Sequence, residues 1–169
     1  MTKTNTQPAV TTTEATEATE ATEAIEVIER LREAMQSGQN ELFISQFAPD
    51  AVYETPFGLD GPKRWEGFDA ISAHLRGVAA NSARGLLTFD KVTVAVHPGA
   101  DPEQVTAQFT VEGTVKATGE PFVLPSSIGV IHVRNGKITS YQDYTNTLRG
   151  AQIVGGLEQF AAMLRHAQG

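Results

Sequence analysis

The stretch Asn135-Gly-Lys-Ile-Thr-Ser-Tyr-Gln-Asp-Tyr-Thr-Asn146 decides how the chain is read. Asn135-Gly136 favours positive φ at two successive positions, as a tight type I′ hairpin turn requires. Ser127-Ile-Gly-Val-Ile-His-Val133 precedes the turn and is rich in β-branched residues, so the turn joins two antiparallel strands. Beyond it, alternation divides residues 137–147 between two faces. Thr139, Tyr141, Asp143 and Thr145 share one face; Ile138, Ser140, Gln142, Tyr144 and Asn146 share the other. Strands are depleted in Asp, so an aspartate between two tyrosines asks for a reason beyond propensity. A solvated, outward carboxylate is the bland reason; a carboxylate turned into a cavity is the functional one.

Working back from this hairpin, three more alternating runs complete a sheet. In 103–116, Val105, Ala107, Phe109, Val111 and Val115 share a face, which leaves Glu112 outward. Residues 121–133 and 87–96 are the others, joined through Gly119-Glu120 and a looser turn at Pro98–Pro102. Further back the period is helical. Ile25, Ile28, Leu31 and Met35 define a first helix that Ser37-Gly38 ends. Asn40 is placed to cap a second helix carrying Leu42, Phe43 and Phe47, which Pro49-Asp50 stops. A short strand, Ala51–Thr55, and a Gly/Pro-rich loop with Trp65 lead to a third helix over 68–82. Its stripe is Phe68, Ile71, Leu75 and Val78, with His74 beside it. After the last strand, ended by Gly150, Leu157, Phe160, Ala161 and Leu164 mark a final amphipathic helix. The order predicts an α+β fold: a curved antiparallel sheet that closes over its helices like a cone and encloses a pocket. Residues 1–21, with a repeated Thr-Glu-Ala triplet, have no apolar period to bury. They read as a disordered or loosely helical tail ahead of a domain spanning 22–169.

The totals narrow the function classes. A chain of 169 residues holds one domain with a real core. The formal charge of -7, without a Lys/Arg cluster, argues against nucleic acid. There is no membrane-length apolar run and no signal-peptide pattern, so no membrane partner is expected and the cytoplasm is the default location. The sequence has no cysteine, which removes disulfides and thiolate chemistry. His74, His97, His132 and His166 lack ligand spacing, so no metal is expected, and no cofactor motif occurs. Ser126-Ser127-Ile-Gly129 is not a nucleophile elbow, lacking the first Gly and the strand-turn-helix context.

Four segments together resemble the SnoaL-like branch of the NTF2-like superfamily, which includes polyketide cyclases, ketosteroid isomerase and limonene-1,2-epoxide hydrolase. They are Phe47-Ala-Pro-Asp-Ala-Val-Tyr-Glu-Thr-Pro-Phe-Gly58, Trp65-Glu-Gly-Phe-Asp-Ala-Ile71, Thr118-Gly-Glu-Pro-Phe122 and Asn135–Tyr144. The resemblance implies the cone fold and a pocket for a hydrophobic small molecule, and family habit implies a homodimer. It places the isomerase base position on Thr55 and the isomerase oxyanion Tyr near Leu31, neither of which can do that work. It places the epoxide-hydrolase catalytic Asp on Asp143, its Tyr on Tyr53 and its companion Asn on Thr55. The Arg-x-Asp pair of that enzyme falls near Gln108-Phe-Thr-Val111, which offers neither residue. The aldol cyclases of the family rely on a single acid/base Asp without a metal, a role Asp143 fits.

Asp143 and Tyr53 are therefore the candidate catalytic residues. A carboxyl facing an apolar cavity has its pKa raised by desolvation and exchanges protons near neutrality, and a phenol can donate to it or to a substrate oxygen. Tyr141, Trp65, Phe43, Phe57, Thr55, His74 and Phe109 are the candidate substrate-binding residues, with core packing as the alternative for each aromatic and a satisfied boundary histidine as the alternative for His74. The expected function is a cofactor-free enzyme of small-molecule, secondary-metabolite type: cyclase, isomerase or hydrolase. The alternatives are a non-catalytic hydrophobic-ligand binder and a dimeric adaptor.

Overall fold

In the computed structural model, which describes residues 12–59 and 61–166, one six-stranded sheet curves around a layer of helices. Helix α1 (Thr12–Ser37) is followed by the short α2 (Asn40–Ile44), strands β1 (Phe47–Thr55) and β2 (Lys63–Glu66), and α3 (Phe68–Asn81). A 3₁₀ turn (Ala83–Leu86) leads into β3 (Leu87–Pro98), β4 (Gln104–Val115), β5 (Pro121–Arg134) and β6 (Lys137–Thr145). Helices α4 (Thr147–Ile153) and α5 (Leu157–His166) complete the described elements. The spatial order is β2-β1-β6-β5-β4-β3. The expected α+β cone is thus the observed fold. The β5–β6 hairpin turns through Asn135 (φ 52°) and Gly136 (φ 67°), both in the left-handed region that the sequence there accommodates.

The core lies between α1, α2 and α3 on one side and the concave face of the sheet on the other. Ala24, Val27, Ile28 and Leu31 of α1, Ile44, and Ile71 and Leu75 of α3 pack on Val105, Ala107, Phe109, Ile131, Val133 and Tyr141. Burying each large apolar side chain contributes about 1.5–3 kcal/mol, so this cluster dominates the stability of the fold. The alternation read in β4 holds through Val111: Val105, Ala107, Phe109 and Val111 are buried, while Glu112 points outward within 3.6 Å of Lys91.

Several local expectations are corrected. Ile25 is 49 % exposed; Ile28 and Leu31 are buried as expected, but Ala24, Val27 and Ala34 complete the buried stripe of α1, because the sheet approaches from that side. Asn40 is the first residue of α2 and makes no capping bond through its side chain; α2 is only five residues long. Phe47 is not helical but opens β1, where it pairs with Ile138 of β6 in the parallel β1–β6 ladder. The loop before α3 contains β2, which pairs with β1 from Val52–Glu66 to Thr55–Lys63. The last strand ends at Thr145 rather than Gly150, because the Asn146 side chain accepts a bond from Arg149 N at 3.3 Å and starts α4. Strict alternation of β6 fails at one point. His132 pairs with Ser140 but Val133 pairs with Ile138, so Thr139 is a bulge and Ile138 returns to the core face that Tyr141 occupies.

Candidate active site

Asp143 is delivered by the central part of the sheet. Its strand is flanked by β1 and β5, and Gly129 of β5 is its direct partner. Counting from the buried Tyr141, alternation turns Asp143 to the helix-covered face. There the Tyr53 hydroxyl donates to Asp143 Oδ2 at 2.6 Å. Tyr53 sits opposite Tyr141 in the β1–β6 ladder, which sets the pair within reach. The other carboxyl oxygen, Oδ1, is buried and has no hydrogen-bond partner among the described residues.

Desolvation pushes the Asp143 carboxyl up to about 6, and the bond from Tyr53 opposes that rise. Burial, and then the nearby carboxylate, hold the Tyr53 hydroxyl well above its ordinary range, so it remains a donor at neutral pH. Tyr141 is raised likewise by burial and by Asp143.

Asp143 and Tyr53 open onto a cavity of about 410 Å³. Met35 of α1, Phe43 of α2, and Leu75 and Val78 of α3 supply its apolar wall, and Asn40 and Arg84 add polar groups. A larger surface hollow of about 860 Å³ lies between Ser45, Glu66, Asp69 and Lys137, but it includes neither Asp143 nor Tyr53, and its acidic side chains are exposed. The smaller cavity is the one with a buried titratable group and apolar walls, the combination expected of a site.

The structure brings only some of the sequence candidates to this cavity. Asp143, Tyr53 and Phe43 line it. Tyr141 lies behind them, 2 % exposed, its ring edge-on to Tyr53 at 5.4 Å. His74 stacks on Trp65 with centroids 3.6 Å apart and touches the Tyr53 ring at 5.6 Å, so both support Tyr53 from outside the cavity. Burial, aided by the charge of Lys63, holds His74 below its ordinary value, which keeps the imidazole neutral at pH 7. Phe109 is a core residue, 1 % exposed. Thr55 ends β1 opposite Lys63 and is not among the cavity-lining residues. Phe57 is 76 % exposed and packs edge-on against Tyr144 at 5.1 Å, on the convex face of the sheet. It walls no part of this cavity, because the turn after β1 carries it to the side opposite Asp143. Asn40 and Arg84 were not legible as cavity residues, since nothing local distinguishes them from surface polar groups. Among the described residues no three His, Asp or Glu side chains converge as metal ligands.

A curved, unclosed six-stranded sheet packed against helices defines an NTF2-like cone protein. The SnoaL-like domain family matches residues 28–141, well over half of the chain, and the chain belongs to that family. An uncharacterized PhzA/B-like protein of Pseudomonas aeruginosa, PA3332, is 29 % identical over 134 residues, covering 79 % of this chain and 91 % of its own. Among solved structures, a Bacillus subtilis protein provisionally assigned as an isomerase superposes with a TM-score of 0.65 at 29 % identity, over 81 % of this chain and 96 % of its own. An LEH-like epoxide hydrolase of M. tuberculosis shares the fold, with a TM-score of 0.53 at 24 % identity over 83 % of this chain and 96 % of its own. No helix among the described residues is long and apolar enough to cross a membrane.

Proposed function

We propose that this chain is a small-molecule enzyme of cyclase or isomerase type in which Asp143 is the single acid/base and Tyr53 its hydrogen-bonding partner. The observation that carries the reading is the state of the Asp143 carboxyl. One oxygen is fixed by Tyr53 at 2.6 Å, the other is buried and unbonded among the described residues, and the residue lines a largely apolar cavity. A carboxyl raised to about 6 is mostly ionised at pH 7 and still basic enough to take a proton from carbon next to a carbonyl. The Tyr53 hydroxyl stabilises the carboxylate before transfer. After transfer the protonated Asp143 carboxyl returns the proton to a second carbon or oxygen of the same substrate.

Proton transfer suits the site better than epoxide opening. Among the cavity-lining residues Asp143 is the only carboxylate. Phe109 and Val111, on the strand where a second acid and its Arg would stand, are buried apolar residues. The substrate is a hydrophobic molecule sized to the cavity, the catalyst a cytoplasmic homodimer, and the chemistry is supplied by the chain's own side chains. Deuterium incorporation next to the carbonyl of decalones and tetralones in D2O, followed by proton NMR, tests the reading. Catalysed exchange by the wild type and its loss in Asp143→Asn, with ligand-induced thermal shift retained, is the expected result. Exchange that survives Asp143→Asn unchanged removes Asp143 from the role.

A further inference from the structure

Arg84 differs from five of the other arginines; like Arg149, whose described side-chain bond is to Gln152, it meets no acid among the described residues. Arg30, Arg32, Arg64, Arg76 and Arg134 each lie within 4.0 Å of a glutamate, and Arg76 and Arg134 grip theirs with two nitrogens. Arg84 pairs with no carboxylate among the described residues, although the chain carries a net charge of -7. Its 3₁₀ turn follows α3 directly and points the side chain back over the cavity it lines together with Asp143.

The guanidinium is nevertheless held in place. It lies over the Phe89 ring, 4.1 Å from the centroid, and Nη2 donates to the Gln36 carbonyl at 3.2 Å. It also rests on Gly38, where a Cβ would come within 3.2 Å of Nη2, so the missing side chain leaves room for it; the φ of +73° there independently favours glycine. A guanidinium offers five N–H donors in a planar fork, and one bond to a neutral carbonyl leaves most of them open. The Asn40 side chain lines the same cavity and forms no hydrogen bond among the described residues. Arg84 forms no ion pair or hydrogen bond with Asp143. The cation and the carboxyl both line this cavity, whose apolar wall includes Met35, Phe43, Leu75 and Val78.

We infer that the ligand is a hydrophobic monoanion whose carboxylate docks on the Arg84 fork, with Asn40 as an additional donor, while its apolar body lies toward Asp143. A planar oxyanion pair matches the fork geometry, and partial desolvation at the cavity strengthens that contact over one in open water. This assignment names the substrate class for the acid/base reading and rests on it for the reaction, but its test reads binding alone.

The test compares benzoate, 1-naphthoate and 2-naphthoate with the matching primary amides, by calorimetry on the full chain at pH 7.5. The wild type should bind at least one carboxylate ten-fold or more tighter than its amide. Arg84→Met should lose that preference, and Arg84→Lys should keep part of it, because a point charge retains attraction without the fork. Asp143→Asn should keep the preference, which separates this inference from the catalytic one. Equal binding of acid and amide by the wild type, a preference that survives Arg84→Met in folded protein, or no saturable anion binding across the panel each overturns it. Should Arg84→Met fail to fold, the wild-type comparison and Arg84→Lys decide alone.

Discussion

At Asp143 two effects of the same cavity oppose each other. Desolvation raises the carboxyl toward neutrality, and the Tyr53 hydroxyl donated to Oδ2 pulls it back, with desolvation the larger. The consequence for stability has a definite sign. A carboxyl near 3.8 when unfolded and about 6 when folded binds more protons in the folded state between those values. Its contribution is fully present below the unfolded value and is lost as pH rises through about 6, the reverse of a salt-bridged aspartate. The span corresponds to about 3 kcal/mol between the two protonation states. Asp143→Asn cannot ionise, so its stability relative to wild type should grow by up to about 3 kcal/mol between pH 3.5 and 8. Urea melts of both proteins across that range check this, and a constant difference would mean that the carboxyl is not desolvated. Tyr53→Phe removes the one opposing bond, so carbon-13 NMR should find Asp143 titrating above its wild-type midpoint in that variant. Turnover should fall less than in Asp143→Asn, because a hydrogen bond is lost and the proton acceptor remains.

At the scale of elements, what is legible in the sequence is what local chemistry decides. The Asn135-Gly136 turn and the alternation of Val105, Ala107, Phe109 and Val111 each follow from neighbouring residues, and both are present in the fold. The Tyr53–Asp143 pairing is reached from residues 90 positions apart only through resemblance to a family, since no local pattern connects them. The Thr139 bulge has no sequence mark of its own. It arises because Ile138 must pair with Phe47 and Val133 at the buried end, while Tyr141 must face the core from the same side. Arg84 depends on Gly38 and Phe89, which are brought to it only when α1 and β3 pack together. The same packing makes Gly129 critical. A Cβ there would collide with the Tyr141 ring, whose Cζ and Oη would stand 2.9 Å away, and that ring is buried among Phe43, Phe47 and Tyr53. Gly129→Ala should therefore destabilise the protein by about 1–3 kcal/mol, the range for overpacking a filled core. It should also weaken the Tyr53–Asp143 contact, read as a shifted Asp143 titration. Unchanged stability would show that the ring has room to move.

For the molecule as a whole, two surfaces remain to be accounted for. The first is the start of the chain. Ala24 is the first residue of the core cluster, and Glu23 accepts a bond from Gly136 N at 3.0 Å. Removing residues 1–21 should leave the melting temperature within about 5 °C, roughly 1 kcal/mol for a domain of this size. The second is the convex face of the sheet. Phe57 leans on Tyr144 there and Ile128 is 41 % exposed, so apolar groups occupy its middle. Around them Gln142 donates to Glu54 at 3.0 Å and Arg64 pairs with the same Glu54 at 2.8 Å, a polar margin already bonded within one copy. An apolar centre inside a satisfied polar rim is the composition of a protein interface, and it is the face through which the proposed homodimer would form. A stable pair needs about 800 Å² from each partner, which a sheet of long strands can supply. The proposed homodimer should sediment as a dimer at micromolar concentration. The double variant Phe57→Glu, Ile128→Glu puts like charges at the centre of both faces and should sediment as a monomer. Because neither side chain belongs to the core or lines the Asp143 cavity, the separated chains should still bind ligand. A wild type that sediments as a monomer, or a double variant that remains dimeric, would place the interface elsewhere or remove it.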